Sequence, residues 1–168
     1  SGDAETEVIV KVPSLENKHV TVVGLGLTGK SCVRFLKSQK ANVTAMDSRD
    51  ELQHDLDIPV FLGPFQAENL LKAELILLSP GVDPSEPALR LAANAGKEII
   101  GDVELFARFN RRPIVAITGS NGKSTVTTLV RDMLVASGKK AEMGGNIGTP
   151  VLDLLESTAD MLVLELSS

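Results

Sequence analysis

The sequence predicts an α/β protein built on parallel, doubly wound sheets, and three observations predict it. Short β-branched runs alternate with helix-like segments along almost the whole chain. Two strand-to-helix turns are rich in glycine, GLGLTG at Gly24–Gly29 and TGSNGKST at Thr118–Thr125. An acidic residue, Asp47, closes the second strand-like run, 18 positions after Gly29.

Taken in order, Val20–Val23 reads as a strand that stops at Gly24, and Lys30–Gln39 as a helix with Cys32, Val33, Phe35 and Leu36 on one face. Val43–Met46 and Val60–Leu62 read as strands, with Asp50–Asp57 between them as a polar surface loop. Glu68–Ala73 is a weak helix pattern, and Leu75–Leu78 an apolar buried strand. Ser85 is expected to cap a helix that runs through Ala95 and stops at Gly96. Ile99–Ile100 and Val103–Phe109 follow as a short strand and a short helix.

A polar NRRP at Asn110–Pro113 then marks a boundary. Beyond it, Ile114–Ile117 reads as a strand, Lys123–Ser137 as a long helix closed by Gly138, and Met161–Leu166 as another strand. The organisation expected is an N-terminal extension over 1–17, a Rossmann-like domain over 18–110, and the start of a P-loop α/β domain over 111–168. That last cycle holds 58 residues, too few for a complete P-loop sheet, so the chain reads as the front part of a longer protein. The edge this leaves open invites self-association of the fragment, while the parent reads as a monomer.

Composition narrows the function classes. With 17 basic and 22 acidic residues the chain carries −5, which argues against a broad nucleic-acid or membrane surface. Five Phe and no Tyr or Trp leave few platforms for stacking bases. The single cysteine, Cys32, excludes an internal disulfide and fits a reducing, cytoplasmic setting. No apolar run reaches the ~20 residues of a membrane span, and the acidic start SGDAETEVIV lacks the pattern of a signal peptide.

TGSNGKST carries the clearest chemistry. A strand enters it, Gly119 and Gly122 permit a tight turn, and Lys123, Ser124 and Thr125 open a helix. Successive N–H groups, including those of Ser120 and Asn121, and the positive helix end then face an anion. Lys123 is the candidate catalytic residue, reaching the β- and γ-phosphates of ATP, and Ser124 or Thr125 would ligate Mg²⁺. The loop departs from the general pattern in having Ile117 where that pattern has its first glycine. GLGLTG with Asp47 has the spacing of a dinucleotide fingerprint, and the pattern leaves open NAD(P) or another diphosphate-bearing nucleotide. Ser79-Pro80-Gly81 follows the Leu75–Leu78 strand, and Gly144-Gly145-Asn146-Ile147-Gly148 reads as a flexible turn whose Asn could bond a substrate. Glu165, with Ser167 and Ser168, ends the last strand where a carboxylate commonly holds Mg²⁺. Cys32 reads as packing, and His19 and His54 have no metal-ligand partner at useful spacing.

Together, GLGLTG, SPG, GDVELF, TGSNGKST, GGNIG and LELSS resemble the Mur ligases of peptidoglycan synthesis, over about His19 to Ser168. The resemblance implies that the first domain binds the UDP of UDP-N-acetylmuramoyl-L-alanine rather than NAD. Its uridine and diphosphate contacts would fall on Leu27, Thr28, Asp47, Ser48, Arg49 and Gly81, and Asn146 would touch the substrate. Gly119 to Thr125 would bind ATP, with Ser124 and Glu165 on Mg²⁺. The implied reaction is ATP-dependent joining of D-glutamate through an acyl phosphate, with the fragment inactive alone. Two alternatives remain at this point: the NAD domain of a dehydrogenase, and a stand-alone nucleotide-binding module.

Overall fold

In the computed structural model, which describes residues 13–167, the chain forms two parallel sheets. The first contains β1 (His19–Val23), β2 (Asn42–Asp47), β3 (Val60–Leu62), β4 (Leu75–Leu78) and β5 (Glu98–Ile100) in the order β3-β2-β1-β4-β5. Every neighbouring pair is parallel. The chain moves outward from β1 to β3, then returns to β4 on the other side of β1. The crevice above the carboxyl ends of β1 and β4 is therefore a topological switch point, where open α/β sheets bind ligands.

Both faces of this sheet are covered, which is why its strands are apolar without alternation. Helices α1 (Leu27–Ser38) and α4 (Asp102–Phe109) cover one face, where Cys32, Val33, Leu36, Leu105 and Phe106 meet Val20, Val22, Ala45 and Leu77. On the other, α2 (Ala67–Leu71) and α3 (Pro87–Asn94) bring Leu70, Ala88, Leu89 and Ala92 against Val23, Met46 and Ile76.

The second sheet contains β6 (Ile114–Ile117), β7 (Ala141–Gly145) and β8 (Met161–Glu165) in the parallel order β6-β8-β7, with α5 (Lys123–Ala136) between β6 and β7. A 3-10 helix at Val151–Glu156 connects β7 to β8. Its Val151, Leu152 and Leu154 are buried in the same cluster as Cys32, Leu105 and Phe106 of the first unit and Leu162 and Leu164 of β8. The two sheets thus share one core through this helix.

Polar ties cross the same junction. Ser31 Oγ donates to Asp153 Oδ1 at 2.7 Å, and Arg34 Nη2 to Asp153 Oδ2 at 2.9 Å. Arg112, in the linker before β6, donates to the carbonyls of Leu154 and Leu155 at 2.8 and 2.9 Å. Arg34 is mostly exposed, and an exposed ion pair adds only about 0–1 kcal/mol. Each of the three buried side chains contributes roughly 1.5–3 kcal/mol, so burial outweighs that ion pair.

Several sequence-based bounds are corrected. Helix α1 starts at Leu27, not Lys30, so the second half of GLGLTG is already helical. Ser85 does not cap α3: Glu86 occupies that position, Pro87 presets the first helical φ, and Ser85 bonds Asp83 Oδ1 through both its N–H and its hydroxyl. Helix α2 ends at Leu71, short of Ala73. Gly144 and Gly145 belong to strand β7 and not to a flexible turn, giving the second unit a third strand. The predicted loop over Asp50–Asp57 has no regular structure. Most of the 1–17 extension and Ser168 lie outside the described residues. Among the described residues, no helix is long and apolar enough to cross a membrane.

Leu154 is fully buried, so Leu154→Ala is expected to destabilise the protein by about 2–5 kcal/mol in urea unfolding. A loss below about 1 kcal/mol would mean that the 3-10 helix is not packed in the shared core.

Candidate functional site

The β1–α1 turn is built by close packing. Gly24 has φ +93°, and a Cβ there would lie 2.8 Å from Val82 Cγ2 and 2.9 Å from Ser79 Cβ. A Cβ on Gly29 would fall 1.8 Å from the Gly24 carbonyl oxygen, so α1 can pack on the turn only with glycine at that position. Ser79 Oγ braces the same carbonyl at 2.8 Å. Gly26 meets nothing and begins α1 with no side-chain cap and no acidic residue in the first turn. The orphan N–H groups at the positive end of α1 are left for an anion.

Asp47 is placed for a different task from the ribose acceptor of a dinucleotide site. Its Oδ2 accepts from Leu25 N–H at 2.8 Å and Arg49 Nη2 at 2.9 Å. Its Oδ1 accepts from Arg49 N–H at 3.0 Å and Arg49 Nε at 2.8 Å. Four donors fill the acceptor sites of a carboxylate, leaving none for a ribose diol. The Arg49 guanidinium, helped by the backbone N–H groups, holds this carboxyl well below the usual carboxylate range although burial opposes it. Leu27, Thr28, Asp47, Ser48, Arg49 and Gly81 come together around a cleft of about 500 Å³ at the switch point.

The second turn, Thr118–Thr125, has the same logic. Gly119 and Gly122 adopt φ +132° and +72°, and Gly122 begins α5 without a side-chain cap or a first-turn acid. Among the described residues, no backbone acceptor takes the N–H of Gly119, Ser120, Asn121 or Gly122. Lys123 Nζ crosses the mouth to the Leu166 carbonyl at 3.3 Å, and Ser124 Oγ donates to Glu165 Oε2 at 3.2 Å. Thr125 is exposed beside them. The Ser124 hydroxyl and Glu165 carboxylate are hard oxygen donors side by side, the donor set that suits Mg²⁺ when phosphate and water complete the shell. No cluster of three or more His, Cys, Asp or Glu that could hold a metal occurs among the described residues, and a site of this kind needs none.

Asn146 is held against the end of β8. Its N–H donates to the Glu165 carbonyl at 2.9 Å and its Nδ2 to Ser167 Oγ at 2.8 Å. Gly145 has φ +109°, and a Cβ there would meet the Glu165 carbonyl at 2.2 Å, so this glycine lets β7 close onto the end of β8. Asn146 lines a groove of about 580 Å³ together with Leu27, Thr28, Pro80, Asp102, Leu166 and Ser167. Leu27, Thr28 and Pro80 border the first cleft as well, so one trough runs from Arg49 past Asn146 to Leu166, whose carbonyl Lys123 contacts. A separate hollow of about 410 Å³, lined by His19, Thr21, Thr44, Phe61 and Asn69, lies on the sheet face beside α2. Cys32 is buried and its thiol is pushed up to about 12, mainly by burial, which suits packing and not nucleophilic chemistry. The sequence reading did not single out Ser79 as the brace of Gly24, nor Asp102 as a wall of the groove. The GDVELF motif was the available signal for Asp102.

Residues 18–101 match the Mur ligase MurD-like N-terminal domain, and residues 117–168 the Mur ligase middle domain. The chain is 51% identical over 159 residues to the UDP-N-acetylmuramoylalanine–D-glutamate ligase of Pasteurella multocida, covering 92% of this chain and 37% of that relative. Identity to the ligase of the same name from Pseudoalteromonas translucida is 50% over 166 residues, covering 92% of this chain and 37% of the relative. The chain therefore spans little more than a third of the length of these relatives. A solved murein peptide ligase from Psychrobacter arcticus superposes with a TM-score of 0.57 at 14% identity, over 88% of this chain and 37% of that one, and shares the fold.

Two outcomes follow from the first turn. Gly29→Ala is expected to break the α1–β1 packing, giving a loss of the native circular-dichroism transition or a large drop in its midpoint. A near-normal midpoint would contradict the 1.8 Å clash. For Asp47, the lowered folded-state pKa means that its stabilisation is present above the unfolded carboxylate pKa and fades as pH falls through the folded value. Asp47→Asn is therefore less stable than the parent at pH 7, and the gap measured by urea unfolding narrows on acidification. A gap that widened with falling pH would reverse the assignment.

Proposed function

This chain belongs to the Mur ligase family, and on that premise we propose that it supplies the UDP-binding domain and the opening of the ATP-binding domain of a ligase joining D-glutamate to UDP-N-acetylmuramoyl-L-alanine, in peptidoglycan precursor synthesis. The observation that carries this reading is the trough that runs from the first uncapped glycine turn to Leu166, whose carbonyl accepts from Lys123 of the second. Two anions bound at its ends would be a nucleotide diphosphate and the phosphates of ATP, with the linking arm of one substrate laid between them.

In this reading the first-turn N–H groups of α1, including that of Thr28, hold the UDP diphosphate, while Leu27, Ser48, Arg49 and Gly81 enclose the uridine. Asp47 acts through Arg49 and the Leu25 N–H, keeping the guanidinium at the cleft mouth. Asn146 orients the substrate arm so that its terminal carboxylate meets the γ-phosphate held by Gly119–Thr125. The carboxylate oxygen attacks phosphorus, the bond to the β-phosphate bridging oxygen breaks, and ADP leaves. The D-glutamate amine then attacks the acyl carbon of the resulting acyl phosphate, loses a proton and expels inorganic phosphate. Activation is required because an amine cannot expel an oxide from a free carboxylate. Lys123 offsets charge on the transferring phosphoryl group. Mg²⁺, held by Ser124 and Glu165, would supply further charge neutralisation when bound.

The dehydrogenase alternative shares GLGLTG but needs a free acidic acceptor for the ribose, and the Asp47 acceptors are occupied. A stand-alone nucleotide module would leave the trough between the turns without a purpose.

Calorimetric titration is expected to show binding of UDP-N-acetylmuramoyl-L-alanine in preference to NAD, and preferential NAD binding would sink the reading. In a ligase of family length carrying this chain, Lys123→Ala is expected to abolish ATP turnover while changing affinity for the UDP substrate less than about twofold. Equal loss of both would mean that the two anion sites are not separate.

A further inference from the structure

The wall of the trough carries a carboxylate that none of the preceding steps uses. Asp102 opens α4 one residue after β5 and lines the groove together with Leu27, Thr28 and Asn146. Among the described lining residues it is the sole acid. The carboxylates around it have side-chain partners: Asp47 has Arg49, Asp153 has Ser31 and Arg34, and Glu165 has Ser124. Glu104 on the same helix is paired with Arg108 at 3.0 Å. Asp102 makes no hydrogen bond or ion pair with another described side chain, and the backbone N–H groups of Val103 and of Asp102 itself lie beside its carboxyl. It is nonetheless partly buried, and burial pushes its carboxyl above the ordinary value.

A carboxylate is an acceptor only, with about four acceptor sites, and the two backbone N–H groups at the start of α4 leave some of them open to the groove. Its position along the trough decides which donor it would meet. Phosphates at the start of α1 would be repelled by it, so it faces what comes after them. In the substrate proposed above, that segment is an acetamido sugar carrying a lactoyl-alanine arm, rich in hydroxyl and amide N–H donors.

We propose that Asp102 is a specificity-determining residue that accepts a hydrogen bond from a hydroxyl or amide N–H of the substrate's sugar–alanine arm, beyond the diphosphate. The assignment rests on the functional reading above and adds a contact to it. It separates recognition of the nucleotide, carried by the β1–α1 turn, from recognition of the arm, carried by the groove wall.

The test uses the ligase of family length. Asp102→Ala is expected to raise KM for UDP-N-acetylmuramoyl-L-alanine about tenfold, as loss of a hydrogen bond to a charged acceptor does, with KM for ATP unchanged. The Kd of UDP alone should stay the same, because UDP ends before this contact. Asp102 also places a negative charge at the N-terminus of α4, which by itself would favour the helix. Asp102→Glu retains that charge but moves the carboxylate by one methylene. It should restore the thermal midpoint and leave KM raised. An unchanged KM in Asp102→Ala, an equal loss of UDP affinity, or a full return of KM in Asp102→Glu would each overturn the assignment. A wild-type enzyme that fails to bind the UDP substrate at all would overturn the functional reading, and this contact with it.

Discussion

Burial of Val151, Leu152 and Leu154 against α1 and α4 is the constraint on which the rest depends. These side chains come from the connection between two strands of the second sheet, yet they complete the core of the first. Hydrophobic burial is non-directional, so it brings the units together without fixing their setting. The bonds of Asp153 to Ser31 and Arg34, and of Arg112 to the end of the 3-10 helix, supply direction. The trough has one wall from each unit, and it exists only while this seam is closed.

Both glycine turns apply the same physics to different ends. Each lies at the carboxyl edge of a parallel sheet, and each opens a helix that no side chain caps. In the first, glycines are needed because α1, Ser79 and Val82 press on the backbone. In the second, Gly119 and Gly122 meet nothing, and their role is conformational, through positive φ. The first turn is a packing solution that happens to present donors, and the second is an open loop whose N–H donors meet no backbone acceptor among the described residues.

Much of this was legible in the sequence. Short apolar runs identified every described strand but β7, and Lys123 with Ser124 and Glu165 lie together at the strand ends where the sequence placed them. The start of α1 was hidden because Gly29 and Thr28 are weak helix formers, held helical here by the packing of Gly29 on Gly24. Strand β7, AEMGG, has little intrinsic β preference and is imposed by its pairing with β8. Asp47 shows the deeper limit. Its spacing from the glycines matches that of a dinucleotide site, and what separates the two is Arg49 folding back on it, a three-dimensional event that no spacing rule encodes.

That folded-back pair has a consequence for the rate of ligand capture. Asp47 and Arg49 neutralise each other, so the cleft meets an anion with dipoles and N–H groups and almost no net charge. The protein around it carries −5. Dipolar attraction reaches only a few ångströms, well inside the screening length of about 8 Å at physiological ionic strength. On the proposed reading, an anionic nucleotide would not be drawn in from a distance by this chain. It would meet a weak repulsion and be gripped only at contact, so added salt should speed its association while scarcely loosening its hold.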